Sequence, residues 1–440
     1  MVINNKSNKE LRDPVKRMNT SATLKLNLEV KKLLAEGYDI INFGLGESPF
    51  GAPISVQNEI KKHGDKTSYY PSAGIYELRA QIKKFYKFHH DIIVDENQII
   101  IGPGSKQIIF QAMLALKSSW IFISPSWVSY ENQAKLIDRP FYRIYTKEEN
   151  GYMVTVSDIK TQFEKYIKGT NYDQLIILIN YPNNPTGMTL SENEVKEIAK
   201  FAKENNILIL SDEIYANITY GNRKHHSFYL EYPEGTIVTG GISKDRSMGG
   251  YRLGVGILPN DKNLINAFKA ISSETYSSIA APIQHTAIVG YEISEDINNH
   301  IYDSTNLHSM IGDYVYYRLE KSGYFVKKME GSFYCFPSLE KYKKKMSENG
   351  IFNSKDLERI LLEDYGVAIL GGYAFAMPIE KLVFRLAYID YVGGKVLSAY
   401  RKLREENSKK IDIEMFIGKN CPRIVEGMNR LELFLKEKIS

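Results

Sequence analysis

Two hydrophobic periods alternate along the chain. Between about residues 52 and 300, short and wholly apolar runs recur at Ile99–Ile101, Trp120–Ile123, Leu175–Ile179 and Ile207–Leu210. Runs this short predict strands buried on both faces. Between them lie segments with apolar residues every three or four positions. A helix is read through Ile108, Ile109, Met113, Leu114 and Leu116, and Glu192 to Asn205 reads as another. The alternation predicts an α/β fold with a mostly parallel central sheet covered by helices. Upstream, Ser21–Gly37 carries Leu24, Leu28, Leu33 and Leu34 at helical spacing, with Gly37 as a stop. From about residue 306, helices and short strands mix, with turns at Gly323, Gly331 and Gly366, as in a smaller α+β unit. The first twenty residues are polar and are expected to form a flexible arm.

Composition narrows the classes of function. Of 440 residues, 43% are hydrophobic and 25% charged, which suits a soluble globular chain with ample core. The net charge is only +5, and basic residues are interleaved with acidic ones, so nucleic acid is not the expected partner. The densest basic patch, Lys341–Lys345, reads as a solvated helix face. No apolar run approaches the roughly 20 residues of a membrane-spanning helix, and no secretory signal opens the chain. Two cysteines, Cys335 and Cys421, with no Cys/His cluster, predict neither a disulfide framework nor a metal site. The expectation is a cytoplasmic protein. His89-His90, at the end of a charged helix, is expected to face solvent.

Candidate chemistry gathers at the ends of the apolar runs, where open α/β sheets collect ligands. Gly102-Pro103-Gly104-Ser105-Lys106-Gln107 joins a strand to a helix, and small residues there let backbone N–H groups approach an anion. It lacks the third glycine of a dinucleotide fingerprint and the GK[ST] ending of a P-loop. Asn183-Asn184-Pro185-Thr186-Gly187 follows the Leu175 run. Ser211-Asp212-Glu213-Ile214-Tyr215 places a carboxylate at the end of a buried strand, where it needs a partner. Ser243-Lys244 through Arg252-Leu253-Gly254 holds a lysine and an arginine eight residues apart around a glycine pair. A lysine among cations or in a dry site is a better nucleophile.

Each signal is modest alone, yet their order resembles one family. The chain is similar to class I/II aminotransferases, the fold-type I enzymes that use pyridoxal 5′-phosphate (PLP), from about Ser21 to Leu403. The further motifs are Gly44–Phe50, Tyr69–Arg79, Ser124–Tyr130 and Phe384-Arg385. The closest likeness is to a microbial branch of aspartate and prephenate aminotransferases, through SATLKL, AGIYELR, GSKQ and PSWVSY. The resemblance implies a large PLP-binding domain over 52–303 and a small domain from 21–51 plus 304–440. It implies transfer of an amino group from an L-amino acid, aspartate or glutamate as one partner, to a 2-oxo acid by a ping-pong route. A β-lyase, decarboxylase or oxidase on the same fold is the alternative, and homodimers are expected.

Residue by residue, Lys244 matches the lysine that binds PLP covalently and moves the proton. Asp212 matches the partner of the pyridinium nitrogen, and Asn184 and Tyr215 match the partners of the phenolic oxygen. Trp127 matches the aromatic stacked on the ring, whereas Trp120 reads as core. Gly104, Ser105, Lys106, Ser243 and Arg252 fall at cofactor-binding positions, and Tyr69 matches the tyrosine that reaches the neighbouring subunit's site. Arg385 matches the residue that forks onto the substrate carboxylate, beside Gly46. Lys106, in the branch that it resembles, helps bind a distal carboxylate. Three departures stand out: Gly241 where many relatives have a phosphate-binding serine, Ser48-Pro49 in place of Pro-Asp, and Asp245-Arg246 in place of a small-aromatic pair. The last two fall near the pocket in sequence and bear on substrate identity. The tail beyond Arg404 has no functional reading.

Overall fold

The computed structural model describes residues 10–16, 18, 21–167, 174–406 and 412–439. Short β1 (Ile41–Asn42) precedes seven strands that form the central sheet. They are β2 (Ile99–Gly102), β3 (Ser119–Ser124), β4 (Phe141–Tyr145), β5 (Leu175–Asn180), β6 (Ile207–Asp212), β7 (Thr236–Gly241) and β8 (Gly254–Ile257). Their order is β2-β8-β7-β6-β5-β3-β4, and only β8 runs antiparallel to its neighbours. The apolar runs are therefore strands, as expected, and every residue of β5 is buried.

Side chains alternate across the sheet because strands have a period of two. Ile121, Ile177 and Ile209 pack on one face with Val195, Ile198 and Ala202 of the helix Glu192–Glu204. Trp120, Phe122, Ile176, Leu178 and Leu210 pack on the other with Ile108, Ile109 and Ala112 of the helix Ser105–Ala115. Trp120 is core, as read.

Beyond the sheet, the 28-residue helix Glu295–Ser322 runs through residues 303 and 304 and ends at Gly323, whose φ of +104° suits the left-handed cap. It packs with β9 (Tyr334–Cys335), β12 (Phe384–Ala387) and the two C-terminal helices. Strands β10 (Val367–Ala368) and β11 (Leu370–Gly371) complete the smaller sheets: β1 pairs with β10, and β11-β12-β9 form an antiparallel ladder. The tail now has a structural account. Helix Pro422–Ile439 buries Ile424, Met428, Leu431, Phe434 and Leu435 in this core. Arg423 and Arg430 of that helix reach back to Asp39, at 3.2 and 2.5 Å. Residues 407–411 and 440 of the tail lie outside the described residues.

One expectation needs correction, the exposure of His90, and two gain detail. The helix Ala22–Ala35 forms, but Leu26 and Val30 are its buried residues, while Leu24, Leu28 and Leu34 are exposed. It carries apolar residues on more than one face, and spacing alone does not select the face that meets Ile40 and Leu370. His90 is buried, one turn beyond Tyr86 on the inward face of helix Tyr76–His90, and only His89 is half-exposed. Burial holds both imidazoles below their ordinary pKa, His89 at about 4. In the arm, residues 13–16 form a helical turn beside the helix Ser129–Leu136; residues 1–9, 17, 19 and 20 lie outside the described residues. The Lys343–Lys345 stretch opens an exposed short helix. Among the described residues, no helix is long and apolar enough to cross a membrane, and no three His, Cys, Asp or Glu residues stand together as metal ligands.

Candidate active site

The parallel strands end at a cavity of about 340 Å³ lined by Gly46, Gly104, Ser105, Lys106, Trp127, Asn184, Asp212, Tyr215, Ser243, Lys244, Arg252 and Tyr334. Most of the predicted residues therefore converge, although they span some 200 positions of sequence. Two do not line this wall. Arg385 sits just behind it, donating to Asn184 Oδ1 at 3.2 Å and to the Gly44 carbonyl. Tyr69 is 92% exposed on the surface of its own chain.

An anion seat forms at one end. Gly102 of β2, Gly254 of β8 and Gly241 of β7 stand side by side in register. No side chain rises from this row, so the Gly102–Ser105 turn lies directly on β8. A Cβ on Gly254 would stand 2.2 Å from both the Gly104 carbonyl carbon and the Ser105 nitrogen. Gly104, at φ +90°, turns the chain into the 105–115 helix, whose first residues, Ser105 and Lys106, line the cavity. Arg252 crosses the same turn, donating to Gly249 O at 2.7 Å and Pro103 O at 3.1 Å. Gly241, the departure from the serine pattern, is part of the glycine row.

At the other end, β6 delivers Asp212. Burial pushes its carboxyl up to about 6, against the lowering effect of Tyr130, which donates to Oδ2 at 2.5 Å. A buried carboxylate with one hydroxyl donor and a 3.4 Å contact from Ile214 N lacks a cation. Lys244 Nζ donates to the Gly46 carbonyl at 2.7 Å. Burial first, then the Arg385 charge, lowers Lys244 to about 8, so roughly a tenth of it is neutral near pH 7. Arg385 is 2% exposed, its guanidinium lies between the rings of Tyr334 (4.7 Å) and Phe375 (5.1 Å), and its Nε–H has no acceptor. Lys106 Nζ rests 4.9 Å over the Trp127 ring, its pKa lowered by desolvation and by Arg252.

The cavity thus offers a glycine turn at a helix N-terminus, a buried carboxylate with no ion-pair partner and a partly neutral lysine, with a buried arginine short of one acceptor behind its wall. This donor set fits PLP. A family model described as "Aminotransferase class I and II" matches residues 38–390. The chain belongs to that family. It is 33% identical over 377 residues to an asparagine–oxo-acid transaminase of Streptococcus mutans, covering 83% of this chain and 91% of the relative. It is 31% identical over 381 residues to a probable aspartate/prephenate aminotransferase of Aquifex aeolicus, covering 84% and 92%. The aspartate aminotransferase of Rhizobium meliloti superposes with a TM-score of 0.82 over 98% of this chain and 100% of that one; at 21% identity it speaks for the fold.

This aminotransferase is a PLP-dependent transaminase, and the lyase, decarboxylase and oxidase readings are not favoured. Its Asp245-Arg246 departure turns away from the cavity. Arg246, 2% exposed, donates to Asp245 at 3.0 Å and lies 4.4 Å from the ring centroids of both Phe85 and Tyr291. Asp245 takes a further bond from Asn217 at 2.6 Å. The pair braces the loop after Lys244 and makes no contact in the cavity wall. Sequence reasoning assigned no role to Tyr130 or Tyr334. Tyr130 closes a quoted motif, so its spacing to Trp127 was a usable signal. Tyr334 is one of 31 tyrosines and had none. A larger cleft of about 1370 Å³ opens on the outer side of Trp127, walled by Arg12, Met18 and the Glu131–Arg143 pair.

Proposed function

We propose that this aminotransferase takes a dicarboxylic L-amino acid, aspartate or glutamate, as one of its two amino-group partners. The observation that carries the reading is a pair of cations beside one cavity: Arg385, buried with an unfilled Nε–H, and Lys106 at the mouth on Trp127. A planar guanidinium suits the α-carboxylate, and a mobile ammonium suits a second carboxylate. The name of the Aquifex aeolicus relative, aspartate/prephenate aminotransferase, points the same way, whereas that of the Streptococcus mutans relative names asparagine, whose side chain is a neutral amide.

Each residue has a task in this reading. PLP, when bound, supplies an electron sink for the pair left on the substrate Cα. Gly104 and Ser105 with Ser243 and Arg252 hold its phosphate, which leaves the Lys106 ammonium for the second carboxylate, and Trp127 covers its ring. Asp212 pairs with the ring nitrogen, which supplies the cation this carboxylate lacks. Asn184 and Tyr215 hold the phenolic oxygen. Lys244 is the covalent anchor and, once released, the base and acid that moves a proton at Cα; a pKa near 8 suits both duties. Arg385 and the Gly46 backbone orient the substrate. Tyr69, exposed on its own chain, serves the partner site of a homodimer. Residues 52–303 act as the PLP-binding domain and 21–51 with 304–440 as the small domain, linked through helix 295–322. Two unpaired thiols, Cys335 and Cys421, support a cytoplasmic setting.

Steady-state rates with 2-oxo acid acceptors test the substrate class. Aspartate or glutamate should exceed alanine in kcat/KM by about a hundredfold, and Lys106→Gln should remove about tenfold of that preference. A preference for neutral donors would overturn the assignment.

A further inference from the structure

Tyr334 connects three residues of the site that lie far apart in the chain. It is 1% exposed and stands on β9. Its ring carries Arg385, whose guanidinium carbon lies 4.7 Å from the centroid. Its hydroxyl lies 2.8 Å from the Tyr215 hydroxyl and donates to the Gly46 carbonyl at 3.4 Å. A hydroxyl has one proton, so when Tyr334 gives its own to Gly46, Tyr215 donates to Tyr334. The same Gly46 carbonyl accepts from Lys244 Nζ at 2.7 Å. The hydrogen bonds therefore run from Tyr215 through Tyr334 to Gly46, where Lys244 joins. The approach is close: a Cβ on Gly46 would stand 2.3 Å from the Tyr334 oxygen.

We propose that Tyr334 is a positioning residue with two separable functions: its ring is the platform for Arg385, and its hydroxyl sets Tyr215 and Lys244 through Gly46. This rests on the reading of Lys244, Tyr215 and Arg385 given above. The ring function governs carboxylate binding. The hydroxyl function governs the reaction step: in the cofactor-free chain it shares one carbonyl with the lysine, and when the proton of Tyr215 goes to the phenolic oxygen of bound PLP, Tyr334 would donate to Tyr215 instead. Two donors on one carbonyl weaken each other, so removing the Tyr334 hydroxyl strengthens the hold of Gly46 on the charged lysine. The other charges acting on Lys244 are Arg385, Glu47, Arg252 and Asp212, and Tyr334→Phe, which keeps the ring, leaves all four in place.

The test compares Tyr334→Phe with Tyr334→Leu in the PLP-loaded enzyme and adds one measurement on cofactor-free protein. Affinity for maleate, an unreactive dicarboxylate, should change less than twofold in Tyr334→Phe and weaken about tenfold in Tyr334→Leu, from the loss of the ring beneath Arg385. The kcat of Tyr334→Phe should fall about tenfold. In the Tyr215→Phe/Tyr334→Phe double variant the two losses should be less than additive, since both act on one chain of bonds. In cofactor-free protein, the pH midpoint for acetylation of Lys244, followed by peptide mass, should rise by about 0.5 in Tyr334→Phe. If Tyr334→Leu does not fold, the other two variants decide alone. The proposal falls if Tyr334→Phe loses maleate as Tyr334→Leu does, if its kcat and acetylation midpoint match the parent, or if the double variant is additive. A parent enzyme that does not transaminate sinks the functional reading separately, because the acetylation midpoint does not depend on turnover.

Discussion

Adding one methyl group at Gly254 tests the anion seat. Gly254 lies between Gly102 and Gly241 in register, and the added carbon of Gly254→Ala would meet Gly104 C and Ser105 N at 2.2 Å and Gly104 O at 2.7 Å. All three are backbone atoms, so no side-chain rotation relieves the overlap. Restoring ordinary contact lifts the turn by about 1 Å, since interiors are close-packed. A displacement of that size breaks or misaligns about two N–H bonds to an anion, each worth roughly 1.5–3 kcal/mol. The expected loss is about 3 kcal/mol at least, which is a hundredfold or more in PLP affinity. Titration of the cofactor-free enzyme by fluorescence measures it. Pyridoxal, which has no phosphate, should lose far less. Gly418→Ala, whose added carbon meets nothing within 4 Å, is the control. If Gly254→Ala binds PLP within about threefold of the parent, or loses pyridoxal equally, the seat is wrongly placed.

Other parts of the account are open to single measurements. Burial raises Asp212 to about 6 from an ordinary 3.8. Below about pH 3 the folded and unfolded chains both hold the proton; as pH rises to 6 the unfolded chain releases it first and the fold is destabilised, by about 3 kcal/mol once complete. Asp212→Asn should therefore raise the melting temperature of cofactor-free protein at pH 8 and leave it unchanged at about pH 3; equal shifts at both would contradict the burial argument. Phe434→Ala, in the core beneath the C-terminal helix, should cost about 3–5 kcal/mol in urea unfolding, and a cost under 1 kcal/mol would make the tail an accessory. Mixing inactive Tyr69→Ala with inactive Lys244→Ala should restore activity through hybrid dimers, while no recovery would keep Tyr69 out of the partner site.

What could be read from the chain divides along physical lines. Buried strands declare themselves because both faces must be apolar, so β5 and β6 were plain as LIILIN and ILILSD. The polar residues at their ends, Asn184 and Asp212, stood out against those runs. Helical spacing is less informative, because it marks an apolar stripe without naming its neighbour. In helix 22–35 the leucines at 24, 28 and 34 competed with Leu26 and Val30, and only the packing against Ile40 and Leu370 decides. His90 misled for the same reason, since its burial comes from Tyr86 and His225. The Asp245-Arg246 pair could not be oriented, because the surroundings of Arg246 come from Phe85, Gly290 and Tyr291. Tyr334 stayed hidden because its three partners, Tyr215, Gly46 and Arg385, meet only in the folded chain.

The central claim is reversible transfer of an amino group at a site built on Lys244. An absorbance spectrum of the PLP-loaded enzyme, taken before and after L-aspartate or L-glutamate and again after a 2-oxo acid, tests it most directly. The visible cofactor band should fall with the amino acid and return with the 2-oxo acid, and Lys244→Ala should show neither change at a measurable rate. A band that no amino acid shifts reversibly, or a Lys244→Ala enzyme that cycles like the parent, would contradict the account.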